Sequence, residues 1–197
     1  MYFLRKLFAA KEQVWKPYCD AIGGRYVEGS LWSGDRIEIA HHTHVIALVS
    51  ERDLETGHHS TLLRVEADLI AGLMLGLLRN WPGQKGFNLM VSLFGLQRAT
   101  VSGLTDDCVV LARDQQQAEA FFGDKRLQDL LLEQPQMMVF VGISPRLSQR
   151  GGTKQVQVAV PLLAKDLPQL KSLVELSRKA IDILSEKGLI TPQGVAS

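Results

Sequence analysis

The stretch "RIEIAHHTHVIALVSERDLETGHHSTLLRVEA", residues 36–67, decides the fold. Its segments "RIEIA", "HVIALVSE" and "STLLRVEA" are rich in β-branched and aliphatic residues, and "DLETGHH" between the last two carries the Asp and Gly of a turn. The pattern predicts an antiparallel meander. The same stretch holds all five histidines of the chain, which raises the question of a metal site. If the last two strands pair about a turn near Glu55, His58 and His59 lie at the turn end and His41, His42 and His44 at the opposite end. Strands rise about 3.3 Å per residue, so roughly ten residues put the two groups about 30 Å apart. One ion cannot take ligands from both.

Within the first group, His42 and His44 share a strand face if the strand is unbroken, and the pairing brings the region from Glu66 to Asp68 opposite His44. His42, His44 and Asp68 are then a candidate two-histidine, one-carboxylate metal set. The competing reading is that the histidines fill a turn and a half-exposed sheet face. We take them as structural, with no metal ligand and no cofactor expected.

Composition narrows the rest. With 46% hydrophobic residues over 197 positions, the chain can bury a substantial core. It reads as one α+β domain over residues 1–190, or as two fused sub-domains, 1–80 and 81–190, with 191–197 as a disordered tail. Lysine and arginine number 22 against 21 acidic residues, a net charge of +1, so the surplus expected of a general nucleic-acid binder is absent. Cys19 and Cys108 are far apart and lack metal-ligand spacing, which fits free thiols in a reducing compartment. The apolar run "LIAGLMLGLL" (69–78) is half the length of a spanning helix, which needs about 20 residues. "MYFLRKLFAAKEQ" is interrupted by Arg5 and Lys6 and lacks a secretory apolar core. A cytoplasmic protein without a transmembrane segment is expected.

Elsewhere, Trp15, Tyr18, Cys19 and Ile22 fall at helical spacing before Gly23-Gly24, predicting an opening helix. "FNLMVSLFGLQ" (87–97) fits a helix better than a strand. "CVVLARD" reads as a buried strand leading to Asp114, which with Gln117 forms an N-terminal capping pattern for a helix carrying Ala118, Phe121 and Phe122. "MMVFVGIS" and "KQVQVAVPLLA" predict a hairpin. Asp166 and Gln169 repeat the capping pattern before a last helix with Leu170, Leu173, Val174, Leu176, Ala180, Ile181 and Leu184 in a stripe, ending at Lys187-Gly188. The expected fold is an antiparallel sheet of about six to seven strands with helices packed on it and a long C-terminal helix.

The order "WKPYCDAIGGRY", hairpin, "FGLQRATVSGLTDDCVVLARDQQQAEAFFGDKRLQDLLLEQP", hairpin, "LKSLVELSRKAIDILSEKG" resembles a group of uncharacterised bacterial cytoplasmic proteins of unknown function. The likeness spans most of the chain and rests on positions of architecture, so it implies a shared fold and no activity. Cys108 stands where those proteins usually have an aromatic residue, and the histidine-rich hairpin stands where they commonly have Trp and Asp.

No catalytic signature offsets this. "RGGTK" lacks the glycine spacing and following helix of a phosphate loop, Cys108 sits beside acidic residues that disfavour a thiolate, and no Gly-x-Ser-x-Gly, Ser-x-x-Lys or His-Glu-x-x-His occurs. The leading reading is a non-catalytic cytoplasmic module that binds a protein partner or forms a homo-oligomer. A helix-over-sheet pocket for a small apolar ligand comes next, and a metal-dependent hydrolase at His42 and His44 last.

Overall fold

A computed structural model describes residues 15–29, 35–52, 59–81, 91, 94–143, 153–164 and 166–191. Among the described residues, nine strands form a single sheet in the order β1-β2-β3-β4-β9-β8-β5-β7-β6, and every neighbouring pair is antiparallel. The strands are β1 (Gly24–Val27), β2 (Arg36–His41), β3 (His44–Arg52), β4 (His59–Glu66), β5 (Leu75–Arg79), β6 (Gln97–Ala99), β7 (Cys108–Ala112), β8 (Met137–Ile143) and β9 (Lys154–Val160). The α-helices fully within the described residues are α1 (Gln115–Phe122), α2 (Lys125–Glu133) and α3 (Leu167–Glu186). Strands from both halves of the chain share the sheet, since β4 pairs with β9 and β5 lies between β8 and β7.

The predicted meander is β2-β3-β4, with Ile46 opposite both Ile39 and Val65. Ile37, Ile39, Ile46, Leu48, Leu63 and Val65 alternate onto one face, are buried, and join one apolar cluster with the stripe of α3. Leu170, Leu173, Leu176, Ile181 and Leu184 are all 0% exposed, so the helix lies directly on the sheet. Both predicted caps form: the Asp114 carboxylate accepts from the Gln116 and Gln117 amides, and Asp166 accepts from the Gln169 amide at 2.8 Å. Gly188, at φ 66°, closes α3 while Leu189 donates back to the Leu184 carbonyl.

The sheet has more strands than the six to seven expected. The three that sequence did not reveal are β1, β5 and β6. β1 has four partly exposed residues and β6 only three, and both sit at sheet edges where no apolar alternation is required. β5 hides inside the apolar run because its first four residues are all buried, which erases the two-residue period. The opening helix is also corrected. It is two successive 3-10 turns, Lys16–Tyr18 and Asp20–Ile22, with Pro17 in the first and Gly23 at φ 69° after the second. The intended face survives: Trp15, Cys19 and Ile22 are buried, and Trp15 Nε1 donates to the Ala164 carbonyl at 2.7 Å.

The segment 87–97 lies largely outside the described residues, though Val91 and Phe94 are helical. The loop at 145–153 lies almost wholly outside them, as do the N-terminal residues and most of the tail. Among the described residues, no helix is long and apolar enough to cross a membrane.

Candidate functional site

His41 is the last residue of β2 and shares the parity of Ile37 and Ile39, so its ring faces the side of the sheet that α3 covers. It pairs across the sheet with His44, leaving His42 and Thr43 as a two-residue turn. The first position of such a turn can require positive φ, and His42 supplies it at 52°. Histidine is among the few residue types enriched there, although the left-handed region still costs a side chain more than it costs glycine.

That turn meets α3. Asp182 Oδ1 accepts from His41 Nε2 at 2.7 Å and from His42 Nε2 at 3.1 Å, and the two rings lie 4.2 Å apart between centroids with a 48° tilt. Lys179, one turn earlier on the helix, places Nζ 3.7 Å from the other oxygen, Oδ2. Burial pushes the Asp182 carboxyl up, but the hydrogen bond and charge of His41, then the His42 bond and the Lys179 charge, outweigh it and hold it below its ordinary value of 3.8. The His41 side chain is 14% exposed and that of His42 67%, so the cluster has a covered side and an open side.

The histidine set expected from sequence is thus rearranged. His42 belongs to the cluster, but His44 does not, because the strand breaks at His42-Thr43 and the two residues no longer share a strand face. His44 is buried at 8% exposure. Asp68 is exposed, and its carbonyl accepts from the Thr191 amide. His59 lies at the far end of β3 and β4, paired with Arg52 and bonded through Nδ1 to Ser50 Oγ at 3.0 Å. His58 falls outside the described residues. Sequence reasoning missed His41, whose parity with the buried isoleucines was visible, and Asp182, which lies about 140 residues away and looked like one more polar position on an amphipathic helix.

A second feature lies further up α3. A groove of about 360 Å³ runs between residues 21–23 and Lys171, Val174, Glu175 and Arg178 of the helix. Gly23 is needed here for its φ of 69° and not for space, since a Cβ would meet Arg178 Nη2 at an ordinary contact distance of 3.6 Å. Among the described residues, Lys171, Glu175 and Arg178 take part in no ion pair.

Cys108 is half-buried, with its thiol pushed up chiefly by burial and further by the Asp107 charge, against the lowering effect of Thr105. It is poorly set up as a nucleophile. Lys154, the last residue of "RGGTK", opens strand β9 and donates to the Leu69 carbonyl at 2.6 Å, so no helix follows those glycines as a phosphate loop requires.

No protein-family model matches the chain, and no curated protein matches it. Among solved structures, the chain is similar to the mycobacterial trehalose monomycolate transport factor A, TtfA, at a TM-score of 0.54 and 11% sequence identity, over 89% of this chain and 94% of that one. A likeness at that identity is one of fold.

Proposed function

We propose that this protein is a non-catalytic interaction module of the cytoplasm that engages a protein partner along the outer edge of α3. The observation that carries the reading is the division of that helix into two faces. Its apolar stripe is consumed by the sheet, whereas Lys171, Glu175 and Arg178 border an open groove without ion-pair partners among the described residues. A small apolar ligand would need a cavity under the stripe, and the stripe faces packed side chains instead. The free thiols of Cys19 and Cys108 suit a reducing compartment. A similar fold occurs in a protein named as a transport factor, which is compatible with a binding role.

Two measurements test this. The tagged chain should co-purify a partner, or self-associate, in defined stoichiometry, and Lys171→Glu with Arg178→Glu should abolish the association while leaving the melting temperature in place. In parallel, Leu176→Ala should destabilise by roughly 2–5 kcal/mol, the cost of a closed core. An unaltered association in the charge variant would overturn the groove reading. A stable Leu176→Ala protein that takes up an apolar dye saturably would favour the ligand pocket instead.

A further inference from the structure

We propose that His41, His42 and Asp182 form a binding site for a divalent first-row transition metal of the zinc class. The donor set is two imidazoles and one carboxylate, the nitrogen and oxygen ligands that such ions prefer. Among the described residues these are the three whose donor atoms converge, all within 4.8 Å of one another. The two Nε2 atoms already lie 2.7 and 3.1 Å from one carboxylate oxygen. Bonds of about 2.0–2.2 Å to a tetrahedral ion place ligand atoms roughly 3.3–3.6 Å apart, so the His42 contact needs to open by a few tenths of an ångström and the His41 contact by roughly 0.7 Å. On binding, each neutral imidazole carries its proton on Nδ1 and offers the Nε2 lone pair.

Rigid elements present all three groups. His41 ends a paired strand, His42 is fixed in a two-residue turn, and Asp182 stands on a 20-residue helix packed against the sheet. The charge balance also calls for a cation. Asp182 and Glu186 fall in the last two turns of α3, toward the negative end of the helix dipole, where a carboxylate is disfavoured unless a positive group answers it. Glu186 has Arg126, which holds its carboxylate at 2.6 Å, whereas among the described residues the permanent cation nearest Asp182 is Lys179, at 3.7 Å on its far oxygen. Oδ1 remains directed at the two rings. With the His42 side chain 67% exposed, an ion can enter from solvent and keep an open fourth position. The site stands apart from the groove and does not depend on the partner-binding reading.

The full-length protein, stripped with a chelator, should be titrated with Zn²⁺ by calorimetry and followed by thermal melting. Saturable binding of one ion per chain with a raised melting temperature is expected. His42→Gly and Asp182→Asn should each weaken binding by roughly 100-fold, at least the loss seen when even the outer partners of metal ligands are removed. His42→Gly controls for folding, because glycine accepts the φ of 52° and the metal-free protein should melt close to the wild type. Lys179→Met should tighten binding by removing a competing cation. Absence of saturable binding in the wild type would overturn the proposal, and so would binding undiminished in His42→Gly, which would place the ion elsewhere.

Discussion

Two polar seams join a strand end to a helix in this protein, and they differ in how fully their donors and acceptors are used. At the end of β5, Arg79 donates through Nε to Asp107 Oδ2 at 2.7 Å and through Nη1 to the Leu132 and Gln134 carbonyls at 2.7 and 2.8 Å. These carbonyls are at the C-terminal end of α2, where four backbone acceptors lack helical partners. At the end of β2, Asp182 gathers two imidazoles, one of them open to water, whose nitrogens retain coordination capacity. Saturation makes the first seam a clamp. Residual capacity makes the second a site.

The sharpest way to break this contrast is to remove the clamp. Arg79→Met keeps much of the aliphatic stem but strands the α2 carbonyls and leaves Asp107 without its guanidinium, so a loss of about 3 kcal/mol is expected in urea denaturation. A loss below about 1 kcal/mol would show that water replaces the guanidinium without penalty, and the two seams would then be alike. Asp182→Asn in metal-free protein should cost about 1 kcal/mol or less. Its partners are a half-exposed lysine and two imidazoles, and the amide oxygen still accepts a hydrogen bond.

Acid should act on both seams in the same direction. Asp107 is held below its ordinary value of 3.8 by hydrogen bonds from Thr105 and then Arg79, and Asp182 is held below it as well. A carboxylate whose folded value is depressed lends stability that is fully present above the unfolded value and disappears as pH falls through the folded one. The wild type should therefore lose stability below about pH 4. Asp107→Asn and Asp182→Asn should each flatten that fall when stability is measured at pH 5 and again at pH 3, and slopes unchanged in both variants would contradict the depressed values.

How much of this was legible depended on whether the signal was local. The β2-β3-β4 meander, the Asp114 and Asp166 caps and the α3 stripe announce themselves within a few residues, because alternation, capping and the 3.6-residue period are short-range patterns. β1 and β6 carried no such pattern at the sheet edges, and β5 lost it by being buried on both faces. The histidine cluster was half legible. Its strand-end position could be read, but the turn was not placed at His42-Thr43, so the pairing was drawn through His44 and Asp68. No spacing rule could bring Asp182 to it, since that contact exists only once α3 lies across the sheet.

The smallest expected effect concerns His42, and it separates backbone strain from side-chain bonding in the open seam. Replacing His42 with Gly relieves a left-handed residue, worth on the order of 1 kcal/mol. Against that, glycine enlarges the unfolded ensemble by about 0.4–1 kcal/mol, and the exposed bond to Asp182 contributes a few tenths more. The terms nearly cancel, so metal-free His42→Gly should lie within about 0.5 kcal/mol of the wild type. His42→Ala loses the same bond and keeps the backbone at φ 52° without histidine's tolerance of that region, so its strain of about 2 kcal/mol, less the ensemble cost that only glycine carries, should leave it about 1 kcal/mol below the glycine variant. Thermal denaturation of the two variants side by side measures that gap. An alanine variant as stable as the glycine one would mean that the turn relaxes to another geometry, and the ring of His42 would then no longer be held over Asp182.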